Sequence, residues 1–169
     1  MSRVKGIWRA GSVAAALALA LVLSACARNQ AEVEGGALAA GAMPASGPGS
    51  VQEFLVTVGD RVFFETDSSQ LTAEAQATLN RQAQWLLLYP QYTVTIEGHA
   101  DERGTREYNF ALGNRRAQAV QTYLASRGVP MSRMTTISYG KERPVAVCDD
   151  ITCWSQNRRA VTVINNAGG

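Results

Sequence analysis

The chain has 169 residues, of which 46% are hydrophobic and 18% charged, enough for one modest folded domain. Its formal net charge is +2, but Arg3, Lys5 and Arg9 precede a predicted cleavage site, and removing these three charges from +2 leaves −1 for the mature chain. A nearly neutral chain lacks the excess of positive charge that is typical of nucleic-acid-binding proteins, which excludes that class.

The first 25 residues have the parts of a bacterial signal peptide in order. A basic start is followed by an apolar stretch from Val13 to Leu23 and then by small residues. The sequence from Leu23 to Cys26, Leu-Ser-Ala-Cys, matches the lipobox at which lipoproteins are cleaved before a cysteine. We therefore predict a lipoprotein signal peptide over residues 1–25 and lipidation at Cys26. The alternative is an ordinary signal peptide or a short membrane anchor with a chance cysteine.

The next segment, residues 26–50, comprises Cys26 and a stretch that is rich in Ala, Gly, Pro and Ser. It has no sustained apolar period, so we predict a flexible linker with a root-mean-square span of about 25–30 Å. The folded domain is then expected over residues 51–169.

The first predicted elements of this domain form a β-hairpin. Phe54–Val58 and Arg61–Glu65 are rich in aromatic and β-branched residues, and Gly59 and Asp60 between them suit a tight turn.

Two helices and three further strands are predicted next. The first helix begins at the N-cap Thr72 and ends before Pro90, and the second runs from about Thr105 to Arg127. The strands are expected at 92–97, 135–139 and 160–164. This order predicts an α/β two-layer sandwich, with a mixed sheet of about four strands and two main helices on one face. Trp85, Tyr89 and Tyr92 could form an aromatic platform for a sugar, but their spacing favours packing in or near the core.

Three cysteines are present, and the assignment of Cys26 to lipid leaves Cys148 and Cys153. In an oxidising compartment an exported chain is expected to pair them, as a staple on the loop before Trp154 and the last strand. Two free thiols are the alternative. A zinc site is not expected, because the chain has one histidine and no second pair of cysteines.

The segment from Gly98 to Gly104, Gly-His-Ala-Asp-Glu-Arg-Gly, leads into a helix that carries polar and apolar residues on one face. Asp101 can accept hydrogen bonds from an ammonium, and the planar guanidinium of Arg116 can grip a carboxylate with two of them. Asn109 lies seven residues before Arg116, nearly two helical turns, so the two side chains share a face, with Leu112 beside them. The pattern predicts a site for a small zwitterion.

This pattern resembles the OmpA-like peptidoglycan-binding family over about residues 59–165. The resemblance implies that Asp101 and Arg116 bind the free end of diaminopimelate in the peptidoglycan stem peptide. It also adds Asp67 to the site, in a segment over residues 66–71 whose backbone N–H groups could face an anion. The implied peptidoglycan-binding residues are Asp67, Asp101, Asn109, Leu112 and Arg116. No catalytic residue, metal or cofactor is implied.

The resemblance further implies a lipid-anchored tether. Cys26 would carry a diacylglycerol and an amide-linked acyl chain such as palmitate, and Ala27, in place of an aspartate, implies export to the outer membrane. The domain would bind peptidoglycan without catalysis, with TolB as a further partner in the Tol system, and would support envelope integrity and constriction of the outer membrane in cell division.

Other interpretations remain open. The charged residues of the motif, together with Arg158 and Arg159, could form a solvated ion-pair network. For Arg158 and Arg159 themselves, structural pairing is expected. The protein could be another OmpA-like envelope lipoprotein outside the Tol system, or a peptidoglycan hydrolase. Against the hydrolase, Asp101 and Glu102 are adjacent and could hardly flank a glycosidic bond. His99 is expected to order the loop through a backbone contact.

Overall fold

A computed structural model of the chain describes residues 47–165. The predicted signal peptide, Cys26 and the linker up to residue 46 lie outside the described residues. The elements are α1 (Val51–Glu53), continued by a π-helix (Phe54–Gly59), β1 (Arg61–Phe63), α2 (Ala73–Leu88), β2 (Thr93–His99), α3 (Arg106–Ser126), a 3-10 helix (Met131–Arg133), β3 (Met134–Gly140), α4 (Ile151–Asn157) and β4 (Arg159–Asn165).

The sheet has four strands in the order β1-β4-β2-β3. Strand β4 is antiparallel to both β1 and β2, whereas β2 and β3 are parallel, so the sheet is mixed. The predicted fold class, an α/β sandwich with a mixed sheet of about four strands and two main helices, is confirmed. Within residues 47–165, none of the helices combines the length and the apolar character needed to cross a membrane.

The core lies between α2, α3 and one face of the sheet. Along β2 the side chains alternate, so that Val94 and Ile96 are buried while Thr93 is exposed. Trp85 and Tyr92 are buried with them and stack at 5.0 Å between ring centroids, and Tyr89 packs against the same cluster. The prediction that these aromatic residues belong to the core is confirmed.

The predicted β-hairpin is wrong in its first half, because Phe54–Val58 is helical. The side chain of Ser50 caps the N-terminus by accepting a hydrogen bond from the Glu53 N–H. Phe54 and Val58, four residues apart, are then buried on one face, and the Phe54 ring packs 4.9 Å from that of Trp85. Burial at a spacing of four is helical, and β1 pairs with β4 instead of with this segment.

Helix α4 was not predicted, since the sequence indicated a loop before the last strand. The Asp150 side chain caps it by accepting from the Thr152 N–H at 2.7 Å. The predicted disulfide is present and joins Cys148, ahead of this helix, to Cys153 within it. The staple therefore holds a helix to the loop that precedes it.

Helix α3 lies unusually close to β2 where two glycines meet. A Cβ atom added to Gly98 would stand 1.8 Å from the Gly113 carbonyl oxygen, and one added to Gly113 would stand 2.4 Å from Ser138 Oγ. Only glycine at both positions permits this approach. It fixes α3 over the end of β2, where the residues of the predicted site lie.

Candidate functional site

A pocket of about 280 Å³ lies at the C-terminal end of β2, between the loop after this strand and the first turns of α3. Nine residues line it: Thr66, Asp67, Asp101, Arg103, Gly104, Tyr108, Asn109, Leu112 and Arg116. All five residues predicted from the sequence to bind a ligand are among them. The structure therefore brings the predicted residues together at one place.

Helix α3 supplies one wall of the pocket. Thr105 caps it by accepting from the Tyr108 N–H, and the buried face of the helix then carries Asn109, Leu112 and Arg116. The Asn109 side chain donates to the Arg103 carbonyl at 2.7 Å, which ties the helix to the loop before it. Leu112 is 5% exposed and supplies an apolar floor.

Arg116 has no exposed surface and is held by three segments of backbone. Its Nε donates to the Ser68 carbonyl at 2.8 Å, and its two terminal nitrogens donate to the carbonyls of His99 at 2.7 Å and Glu65 at 3.2 Å. A guanidinium has five N–H donors, so one on each terminal nitrogen is left over. Burial lowers the pKa of Arg116 to about 10, which still leaves it charged at neutral pH.

Asp101 forms the opposite end of the pocket. Arg103 donates to it through Nε at 3.3 Å and through Nη2 at 2.7 Å, and Arg158 donates to it through Nη1 at 3.4 Å. Burial by itself raises the pKa of Asp101, but the hydrogen bonds and charge of Arg103, with the bond from Arg158, outweigh it and leave the pKa below its ordinary value. Asp101 is therefore an ionised carboxylate at neutral pH.

Asp67 lies on the loop before α2, in the left-handed backbone conformation with φ of 54°. Tyr108 of α3 donates its hydroxyl hydrogen bond to the Asp67 carboxylate. This contact joins the loop to α3 at the rim of the pocket. The positive φ is uncommon outside glycine and is sustained here by the contacts of the loop.

Two of the N–H groups in the loop over residues 66–71, for which the sequence analysis suggested contact with an anion, are bonded within the protein. The Ser68 N–H bonds the Glu65 carbonyl at 3.2 Å, and the Gln70 N–H bonds the Ser68 hydroxyl at 3.0 Å. Two carbonyls of this region accept from Arg116 instead. This region therefore positions the arginine, and the N–H groups of Ser68 and Gln70 are not free for an anion.

His99 is buried and lies at the end of β2. Its carbonyl accepts from Arg116, whereas neither nitrogen of its ring has a hydrogen-bond partner, so the ring makes no hydrogen bond that would order the loop. Its ring centroid lies 5.6 Å from that of Tyr139 on the neighbouring strand β3. Burial, with the charges of Arg159 and Arg143, lowers the pKa of His99 to about 4, so the ring is neutral at physiological pH.

Arg158 and Arg159 make hydrogen bonds within the folded domain, as expected for residues with a structural role. Arg158 donates to the Phe64 carbonyl at 3.0 Å as well as to Asp101, and Arg159 donates to the carbonyls of Asn157 and Arg143. Both are buried. Arg158 is thus a second buried cation next to the pocket.

Sequence reasoning missed two polar side chains of the pocket, Arg103 and Tyr108. Tyr108, Leu112 and Arg116 recur every four residues, a spacing that would have placed Tyr108 on the same face of α3. Arg103 lies two residues after Asp101, and its own N–H bonds the carboxylate at 3.2 Å, as in an Asx turn.

The pocket therefore presents an ionised carboxylate at one end and a fixed guanidinium at the other, a pair that is complementary to a zwitterion. In the part of the chain from residue 47 to 165, no three His, Cys, Asp or Glu side chains converge to hold a metal ion.

Comparison with known proteins gives concordant matches. The sequence profile of the OmpA family matches residues 63–158. The chain is 63% identical to the peptidoglycan-associated lipoprotein of Agrobacterium fabrum, over 90% of this chain and 87% of that protein. It is 62% identical to the protein of the same name from Rhizobium meliloti, over 99% of this chain and 94% of that protein.

Solved structures agree on the fold. The crystal structure of the peptidoglycan-associated lipoprotein from Burkholderia pseudomallei is 45% identical, with a TM-score of 0.61, and the match covers 63% of this chain and 90% of that one. The C-terminal domain of Helicobacter pylori MotB has a TM-score of 0.60 over 64% of this chain and 86% of that one, but only 22% identity. The second match therefore supports the fold alone.

Proposed function

Because this chain belongs to the OmpA family, and within it to the peptidoglycan-associated lipoproteins, we propose that it binds peptidoglycan and tethers the outer membrane to it. The ligand is the free end of diaminopimelate in the stem peptide, which carries an ammonium and a carboxylate on one carbon. The observation that carries this proposal is the pocket with Asp101 at one end and Arg116 at the other.

The chemistry of the pocket suits this ligand. The ammonium meets Asp101, whose carboxylate is ionised because Arg103 and Arg158 lower its pKa. The carboxylate meets the two remaining N–H donors of Arg116 in a charge-assisted contact. Asn109 holds the loop, Leu112 forms the floor of the pocket, and Asp67 adds negative charge at the rim.

The rest of the chain supports a tether. The lipobox over residues 23–26 gives a lipid anchor at Cys26, and Ala27 directs the lipoprotein to the outer membrane. The linker before the domain lets the domain stand off the membrane and reach the cell wall. In this proposal the protein works in the Tol-Pal system with TolB, and the tether supports envelope integrity and constriction of the outer membrane in cell division.

The test of wall binding is co-sedimentation of the full chain, purified in detergent, with isolated peptidoglycan. The variants are Asp101→Asn, which removes the charge and keeps the shape, and Arg116→Lys, which keeps the charge and removes the planar group. Both are expected to lose at least nine-tenths of the bound fraction.

Matched controls separate the pocket from general surface charge. Asp149→Asn and Arg115→Lys make the same chemical changes at exposed positions. Both controls are expected to bind like the unaltered chain. If all four variants bound equally, Asp101 and Arg116 would have structural roles only, and if the unaltered chain did not sediment, the tether itself would be rejected.

No catalytic step is part of this proposal. The carboxylates of Asp101 and Glu102 already accept hydrogen bonds from Arg103 and Trp154 respectively, and neighbours in sequence cannot flank one glycosidic bond from opposite sides. Release of soluble fragments from peptidoglycan by the purified protein would contradict this. Capture of TolB from an envelope extract distinguishes a role in the Tol-Pal system from that of another OmpA-like lipoprotein.

A further inference from the structure

The loop that carries Asp101 has no regular structure of its own. It joins the end of β2 at His99 to the start of α3 at Arg106, and its shape depends on contacts from other segments. Lys141 donates to two of its carbonyls, those of Glu102 at 3.1 Å and Gly104 at 2.7 Å. These bonds fix the backbone of the loop but leave its side chains to be placed by other groups.

Trp154 contacts two consecutive side chains of this loop. The Arg103 guanidinium carbon lies 4.2 Å from the centre of the Trp154 ring, within the range of a cation–π contact. The indole N–H donates to the Glu102 carboxylate. The Nε and Nη2 atoms of the same guanidinium donate to Asp101. The Arg103 group therefore contacts both the indole ring and the carboxylate of the pocket.

Helix α4, which presents Trp154, is held in place at both ends. It has only seven residues and would not be stable by itself. The disulfide joins Cys153 to Cys148, and the Asn157 side chain bonds the Val145 N–H at 2.9 Å and the Ala146 carbonyl at 2.8 Å. The helix that carries the Trp154 ring is therefore fixed to the preceding loop by the disulfide and by hydrogen bonds.

We propose that Trp154 is a positioning residue of the ligand site. It does not line the pocket itself. It holds Arg103 and Glu102 in place, and through Arg103 it sets the orientation in which Asp101 meets an ammonium group. This inference rests on the proposed function, since it assigns the residue that prepares the same pocket for the stem peptide.

Without the Trp154 ring, the loop side chains are no longer ordered before the ligand binds. Ordering them then reduces the free energy of binding. Trp154→Leu loses both contacts and is expected to weaken the affinity about tenfold. Trp154→Phe keeps a ring for Arg103 but loses the N–H, and is expected to weaken it about threefold. Ile151→Ala, an exposed change on the same helix, is the matched control and is expected to leave the affinity unchanged.

The test is calorimetric titration of the full chain, purified in detergent, with a soluble muropeptide that contains meso-diaminopimelate. The same substitution is repeated in an Arg103→Ala background, where Trp154→Leu is expected to change the affinity by only about threefold, because the contact with Arg103 is already absent and only the bond to Glu102 is lost. A second readout is intrinsic fluorescence, since ligand binding is expected to shift the Trp154 emission and the shift is absent in Trp154→Phe.

The outcomes are distinguishable. If the unaltered chain does not bind the muropeptide, the proposed function and this inference both fail. If it binds and Trp154→Leu binds equally well, only the inference fails. If Trp154→Leu weakens binding tenfold in both backgrounds, Trp154 acts through the general stability of the domain, and the positioning role is overturned.

Discussion

The arginine end and the aspartate end of the pocket are built in different ways. Arg116 is wholly buried, and backbone carbonyls from three separate segments fix it. Asp101 is fixed by side chains, and the nearer of them, Arg103, has 40% of its own side chain exposed. One end is held by backbone carbonyls, whereas the other is held by side chains, one of which is partly exposed.

This difference separates two tasks within one site. In the proposed function, the arginine end fixes where the ligand's carboxylate binds, and the same residue holds three backbone segments of the fold. The aspartate end is proposed to meet the ammonium group, in a geometry that depends on α4. Substitutions at the two ends should therefore differ most in their effect on the free energy of unfolding.

The largest effect is expected for Arg116→Ala. Three carbonyls, of which that of His99 is buried, lose their donor, and a buried side chain is removed, so the free energy of unfolding should fall by about 3–5 kcal/mol. Equilibrium denaturation measures it, with Arg115→Ala as the exposed neighbour that should cost less than about 0.5 kcal/mol. Equal costs at the two positions would mean that the arginine end is not part of the core.

Acid should destabilise the fold through His99, whose carbonyl binds Arg116. Its pKa is about 4 in the folded chain against an ordinary value of 6.5. As the pH falls from 6.5 to about 4, the unfolded chain takes up a proton on this histidine that the folded chain does not. The free energy of unfolding should therefore fall by roughly 2–3 kcal/mol. Denaturation at several pH values measures this, and His99→Gln should flatten the dependence. An unchanged slope in His99→Gln would contradict it.

Loss of the disulfide tests the support of the aspartate end. Replacing Cys148 and Cys153 together with serine should lower the free energy of unfolding by about 2 kcal/mol, since the loop that they close is short. Thermal denaturation with and without the substitutions measures it. The serine variant is also expected to lose more muropeptide affinity than Ile151→Ala does. An unchanged melting temperature would show that α4 is held without the disulfide.

Asp101→Asn should have a smaller effect on stability and a large one on binding. Arg158 keeps its bond to the Phe64 carbonyl, so the fold should lose only about 1–2 kcal/mol. Denaturation and co-sedimentation on the same preparation compare the two effects. A loss of stability as large as that of Arg116→Ala would remove the distinction between the two ends.

The smallest effect is expected for Tyr108→Phe, which removes the hydrogen bond to Asp67 at the exposed rim. The cost to stability should be below about 1 kcal/mol. Loop mobility, followed by hydrogen exchange of residues 66–70, should increase. Unchanged exchange would show that the contact does not restrain the loop.

Much of the fold could be predicted because its signals are local. Thr72 caps α2 as the sequence indicates, α3 begins next to Thr105, where its start was predicted, and the alternation along β2 is visible in the residues themselves. The five residues from Phe54 to Val58 misled because a short aromatic and β-branched run suits either a strand or a buried helix. The contact that decides between them, from Glu53 to Trp85, spans 32 residues.

The site divides in the same way. Asn109, Leu112 and Arg116 were found from helical spacing, which depends only on neighbouring residues. The bond from Arg158 to Asp101 joins residues 57 positions apart, and that from Trp154 to Glu102 joins residues 52 apart. Such contacts depend on the finished fold, so the sequence revealed the members of the pocket but not the groups that hold them.

The most direct test of the zwitterion site compares two muropeptides that differ by one group. One contains meso-diaminopimelate and the other L-lysine, which keeps the ammonium and lacks the carboxylate beside it. If Arg116 grips that carboxylate, calorimetric titration of the full chain should give an affinity for the lysine form at least tenfold weaker, since a charge-assisted bidentate contact is lost. Equal affinities would show that the arginine end of the pocket does not bind the ligand.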